Sequence, residues 1–108
     1  MALFLIGVAK ANQSNSLVLL NAQTKEETET GIKLIEENGG GVRHVFPPDV
    51  LIAYFPESMG IDKRLKSNPI ISRIFHQTVD PVPFSSRSEI ALQGIKSWNH
   101  LLSEAGKR

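Results

Sequence analysis

No cysteine occurs in the 108 residues, so disulfide staples, thiolate metal sites and a cysteine nucleophile are excluded. Compartment stays open, because a secreted chain can lack cysteine as well. An excess of one charge is missing too: 12 Lys+Arg stand against 11 Asp+Glu, and the net charge is +1. No global field therefore draws the chain to nucleic acid or to an anionic membrane. No apolar run approaches the roughly 20 residues that cross a bilayer, which excludes a transmembrane helix. Internal repeats and low-complexity segments are also lacking. What is there is ordinary globular composition, 41% apolar and 21% charged, at the length of one domain with one modest core.

The N-terminus reads in two ways. Leu3 to Val8 is a short apolar run, followed by the A-x-A-like Ala9-Lys10-Ala11 and the polar Asn12 to Ser16. That pattern resembles the end of a secretory signal, although it lacks a basic n-region; a buried strand has the same appearance. Residues 1–15 are accordingly expected as a flexible or signal-like segment, or an extra strand. Localisation stays open between a secreted or periplasmic site and the cytoplasm. Asn12-Gln13-Ser14 is a glycosylation sequon of a kind that arises often by chance.

From Ser16 onward the elements follow one another in a recognisable order. Leu17 to Leu20 suits a central strand buried on both faces. Thr24 and Glu27 make a capping box that opens a helix, with Thr28, Gly31, Ile32 and Ile35 on its inner face. Gly39-Gly40-Gly41 stops that helix by permitting positive φ. Val42 to Phe46, the turn Pro47-Pro48-Asp49, and Val50 to Phe55 read as a hairpin closed by Pro56. Ser58 is placed to cap a short helix carrying Ile61 and Leu65, which Asn68-Pro69 ends. Ile70 to Val79 is expected as the fourth strand, with a bulge near Arg73, because Ile71 and Ile74 do not alternate.

Strand, helix, strand, strand, helix, strand is the split βαβ arrangement. The fold class expected is therefore α+β and ferredoxin-like, βαββαβ, a four-stranded antiparallel sheet with two helices on one face. Residues 16–84 hold this domain. Residues 85–108 add a C-terminal amphipathic helix, opened by a capping box of Ser86 and Glu89, with Ala91, Leu92, Ile95, Trp98, Leu101, Leu102 and Ala105 as its stripe.

The chain offers little that converges for chemistry. His44, His76 and His100 show no spacing that grips a metal. No Gly-x-Ser-x-Gly elbow is present, and the glycine triplet follows a helix whereas phosphate-binding glycines precede one. The acidic set Glu26, Glu27, Glu29, Glu36 and Glu37 reads as a solvated helix face. Lys63, Arg64, Lys66, Arg73 and Arg43 could suggest RNA, but Tyr54 and Phe55 are adjacent and point to opposite sheet faces, so they cannot stack bases together. Neither enzyme activity, cofactor, metal, nucleic acid nor membrane is expected.

In the order of its motifs the chain resembles the propeptide-type inhibitors of subtilisin-like serine proteases. The motifs are Leu17 to Leu20, Gly39-Gly40-Gly41, Val42-Arg43-His44-Val45-Phe46, Val50 to Phe55 with Pro56, Ile61 and Leu65, and Pro69-Ile70-Ile71-Ser72-Arg73-Ile74. The resemblance implies a serine-protease inhibitor or intramolecular chaperone that docks through the outer sheet face. It further implies that the segment after the last strand lies extended in the protease cleft: Thr78, Val79, Asp80, Pro81, Val82, Pro83 and Phe84. Acidic residues that the family carries just after the last strand are replaced here by Phe75, His76 and Gln77. A second reading is a self-associating regulatory or ligand-binding module, a homodimer through the C-terminal helix or sheet face, with Trp98 as interface anchor. The tail separates the two: an inhibitor needs it exposed and extended, a module buries it under the C-terminal helix.

Overall fold

The computed structural model describes residues 13–56 and 61–106. Its elements are β1 (Gln13–Leu20), α1 (Lys25–Glu37), β2 (Gly41–Phe46), β3 (Val50–Pro56), α2 (Ile61–Lys66), β4 (Ile71–Phe75), a 3-10 turn (Val82–Phe84) and α3 (Glu89–Gly106). The fold is α+β. Its four strands form one antiparallel sheet in the order β2-β3-β1-β4.

α1 starts and stops where its chemistry requires. Thr24 accepts from the Glu27 N–H through its hydroxyl, while the Glu27 carboxylate accepts from the Thr24 N–H, completing the capping box. Thr28, Gly31 and Ile35 are buried. Asn38 caps the other end and Gly39 takes φ 89°, the left-handed turn that ends the helix. The turn after β2 carries a cis bond between Pro47 and Pro48.

Alternation along the strands divides the interior into two cores. Val18, Leu20, Leu51, Ala53 and Phe55 face α1 and α2, where Ile35, Ile61 and Leu65 meet them. Leu17, Leu19, Val50 and Ile52 face the opposite way and pack against Ala91, Ile95 and Trp98 of α3. The C-terminal helix is thus a third layer on the sheet. Gly94 lets it lie close: a Cβ there would sit 2.7 Å from Val50 Cγ1 and 2.9 Å from the Phe46 ring.

Several expectations are corrected by this packing. β4 ends at Phe75 and does not reach Val79, because the chain beyond it bonds to α3 instead of a neighbouring strand. The irregularity near Arg73 is present: Ile71 pairs with Leu20 and Arg73 with Leu19, so Ser72 is the extra residue that lets Ile71 and Ile74 share a face. α3 begins at Glu89 with the Ser88 hydroxyl accepting from the Ala91 N–H, so Ser88, and not Ser86, serves as its cap. Its stripe is narrower than expected, since Leu101 is 36% exposed. β1 starts at Gln13, within the segment set apart as residues 1–15. Residues 1–12 and Ser58 lie outside the described residues.

Candidate functional site

The segment singled out from sequence, Thr78 to Phe84, lies along α3 and is not extended throughout. Trp98 is wholly buried, and its indole N–H donates to the Gln77 carbonyl at 2.8 Å. Asn99 takes the Val79 N–H on its amide oxygen at 2.8 Å and donates its amide N–H to the Val79 carbonyl at 2.7 Å. Val79 is buried with the α3 core. Asp80 then accepts from the Val82 N–H, and Pro81 leads the 3-10 turn with φ −72° and ψ −17°. Thr78, Asp80 and Pro83 are exposed, and Val82 is 72% exposed. Phe84 is half-buried, its ring edge-on to Phe75 at 6.0 Å.

Trp98, expected as an interface anchor, is therefore an anchor within its own chain. Arg87 ties the start of α3 to the hairpin turn through an ion pair with the mostly buried Asp49. Its guanidinium also lies over the Phe84 ring at 5.9 Å. Between β4 and the tail a cleft of about 280 Å³ is walled by Arg73, Phe75, Val79, Asp80, Pro83 and Phe84.

The spacing of the histidines alone gives His76 no partner. The structure joins it to two others. His76 Nδ1 lies 3.0 Å from the Ser16 hydroxyl, and His76 Nε2 lies 2.6 Å from Asp62 Oδ2. Serine, histidine and aspartate are here in one hydrogen-bonded chain, yet Ser16 is 0% exposed. No substrate carbon can reach that hydroxyl, so the array links β1, the residue just after β4, and α2 as a polar clasp. One signal could have found it. Ser16 is in phase with Val18 and Leu20, so its side chain points inward, and a buried hydroxyl must find a partner.

A third region lies where α1 leaves the outer edge of the sheet uncovered. Thr28 and Ile32 of α1, Val45 of β2, and Pro47 and Pro48 of the turn wall a cleft of about 450 Å³, with Lys25 and Glu29 at its rim. That volume lies within the range of small-molecule sites. Val45 is 41% exposed. Thr28 spends its hydroxyl on the Pro48 carbonyl at 2.6 Å, so the walls present little polar character.

The remaining candidates are scattered. His44 is exposed beside Phe46, and His100 is exposed 3.9 Å from Glu104. Arg43 lies over the Tyr54 ring and donates to Asn15, on the sheet face opposite Phe55. Glu26, Glu29, Glu36 and Glu37 are exposed. Among the described residues, no group of three or more His, Asp or Glu side chains is placed to hold a metal. No described helix is long and apolar enough to cross a membrane.

Comparison with protein-family models, with curated proteins and with solved structures finds no match for this chain. Function therefore rests on the geometry above.

Proposed function

We propose that the chain is a self-associating or ligand-binding module of ferredoxin-like topology, closed on itself by its C-terminal helix. Two observations support the topology. Strand, helix, strand, strand, helix, strand is the element order before α3, and from the other edge the sheet reads β4-β1-β3-β2, the first strand central between the third and the fourth. The observation that carries the functional reading is α3: it occupies the sheet face with Ala91, Ile95 and Trp98 and holds Gln77 and Val79 by their backbones.

Magnitude favours this reading over open inhibition. Full burial of one large apolar side chain contributes about 1.5–3 kcal/mol, so lifting α3 off the sheet costs on the order of 5 kcal/mol. A partner that needs the bare sheet face would lose roughly several thousandfold in apparent affinity to that opening. The test is a titration of the intact chain against a subtilisin-type protease. Residual activity is expected to stay unchanged at micromolar protein. Stoichiometric inhibition with an uncut Thr78 to Phe84 would sink the proposal.

The second reading is a propeptide-type inhibitor or intramolecular chaperone of a subtilisin-like serine protease. It is favoured by the element order and by the position of the tail directly after β4, with Val82 and Pro83 exposed. Under it, Trp98→Ala should strengthen inhibition by releasing α3, and Phe84→Ala should abolish it; cleavage within the tail would mark a propeptide.

A further inference from the structure

We propose that the cleft between α1 and β2 seats a second copy of this chain, in a two-fold dimer where each Val45 enters the other protomer's cleft and each Lys25 meets the other's Glu29. The inference rests on the module reading and names its partner.

The first reason is what the remaining surface offers. α3 spends Ala91, Ile95 and Trp98 on its own sheet, so neither the sheet face nor the inner stripe of that helix is free for a partner. β2 stands at the outer end of the sheet, and Val45 is the large apolar side chain left exposed there. Val45 is at once a wall of the cleft and an apolar projection beside it. A patch that carries both its knob and its hole is self-complementary, as a two-fold interface requires.

Charge selects the same occupant. Lys25 and Glu29 stand one helical turn apart on the cleft rim, both exposed, and neither makes an ion pair among the described residues. A peptide bearing one sign of charge along its length would gain at one of them and lose at the other. A copy of the chain satisfies both, because a two-fold axis halfway between the two residues sets α1 antiparallel to its twin and lysine against glutamate twice.

An extended peptide adding to the edge of β2 fits less well. The strand is bulged at Arg43, where Val42 pairs with Ala53 and His44 with Ile52, and Pro47 and Pro48 follow directly. Bulges and prolines are the devices that blunt an edge against strand addition. Side-chain packing into the cleft remains. An interface built on one cleft belongs at the small end of the range, so association is expected at micromolar concentration.

Sedimentation of the full chain from about 1 μM to about 1 mM tests this, with circular dichroism to verify that each variant is folded. The wild type should pass from monomer to dimer across the range. Val45→Asp should weaken the dimer by about tenfold or more, and Lys25→Glu or Glu29→Lys alone should do likewise, since each reversal creates two repulsive pairs. Lys25→Glu combined with Glu29→Lys in the same chain restores both pairs and should return the dimer to near its original strength. A monomer throughout, a dimer indifferent to Val45→Asp, or a double variant no better than the single ones would each overturn the proposal. The protease titration separates this from the module reading: a monomer that does not inhibit removes only the dimer, whereas an inhibiting chain removes the module.

Discussion

On one face of the sheet Val18, Leu20, Leu51, Ala53 and Phe55 pack beneath two helices that the chain inserts between its strands. On the other, Leu17, Leu19, Val50 and Ile52 pack beneath one helix that follows the last strand. The first cover needs no separate fastening, because each helix connects the strands it covers. The second has to be brought back across the sheet, and its approach is fixed by directional bonds: Trp98 to Gln77, Asn99 to Val79, Arg87 to Asp49. These bonds also satisfy Gln77 and Val79 backbone groups that would otherwise be buried or half-buried without partners. A cover held at a few named points is one that single substitutions can loosen.

Trp98→Ala is the largest such break. It removes the biggest fully buried side chain and the donor to Gln77, and a loss of about 3–5 kcal/mol in urea unfolding is expected. Leu65→Ala, its counterpart on the other face, should cost about 2–5 kcal/mol. Amide exchange distinguishes the two variants. In Trp98→Ala the amides of α3 should exchange first while β1 and β3 stay protected; in Leu65→Ala protection should fall across the whole sheet. Equal and global loss in both would mean that the faces do not open separately.

Gly94→Ala sharpens the comparison, because two effects of opposite sign meet at one residue. Alanine in a helix interior gains about 1 kcal/mol over glycine. Against this, the added Cβ would press on Val50 and Phe46, and overpacking of that kind costs about 1–3 kcal/mol. A net loss of about 1 kcal/mol is expected by thermal or urea unfolding. A stabilised variant would show that α3 sits less tightly than the contact implies.

How far the chain could be read beforehand differs between the same two faces. The elements that form the α1 and α2 side carry local signals: the Thr24 and Glu27 box, the stop at Gly39, the turn prolines, the apolar phase of each strand. Even the bulge beside Arg73 was legible, since Ile71 and Ile74 are out of phase for a flat strand. The α3 side was legible only as an apolar stripe. Nothing local says that Trp98 closes on Gln77 or that Asn99 holds both backbone groups of Val79, for those contacts span 21 and 20 residues and depend on where the sheet has already placed β4. Hence β4 was expected too long and the tail too straight. The clasp of Ser16, His76 and Asp62 joins residues as far as 60 positions apart. Only the inward phase of Ser16 hinted at it.

The smallest expected effect lies at the start of α1 and tests whether the inserted layer has a weak point of its own. The Glu27 carboxylate accepts from the Gln23 N–H at 2.9 Å, from the Thr24 hydroxyl at 3.3 Å and from the Thr24 N–H at 3.2 Å. These bonds favour its charged form, the Gln23 bond most of all, and hold its pKa below the ordinary value. A carboxyl depressed in the folded state contributes stability that is fully present above its unfolded pKa, about 4.3 for glutamate, and is lost as pH falls through the lower folded value. Urea midpoints of the wild type should therefore decline on acidification below that point, and part of the decline should vanish in Glu27→Gln, whose amide oxygen can still accept but cannot titrate. Thr24→Ala, which removes the other half of the box, should cost about 1 kcal/mol at neutral pH. If Glu27→Gln keeps the full acid slope, the acid sensitivity belongs to other carboxylates, and the inserted layer has no weak point at its cap.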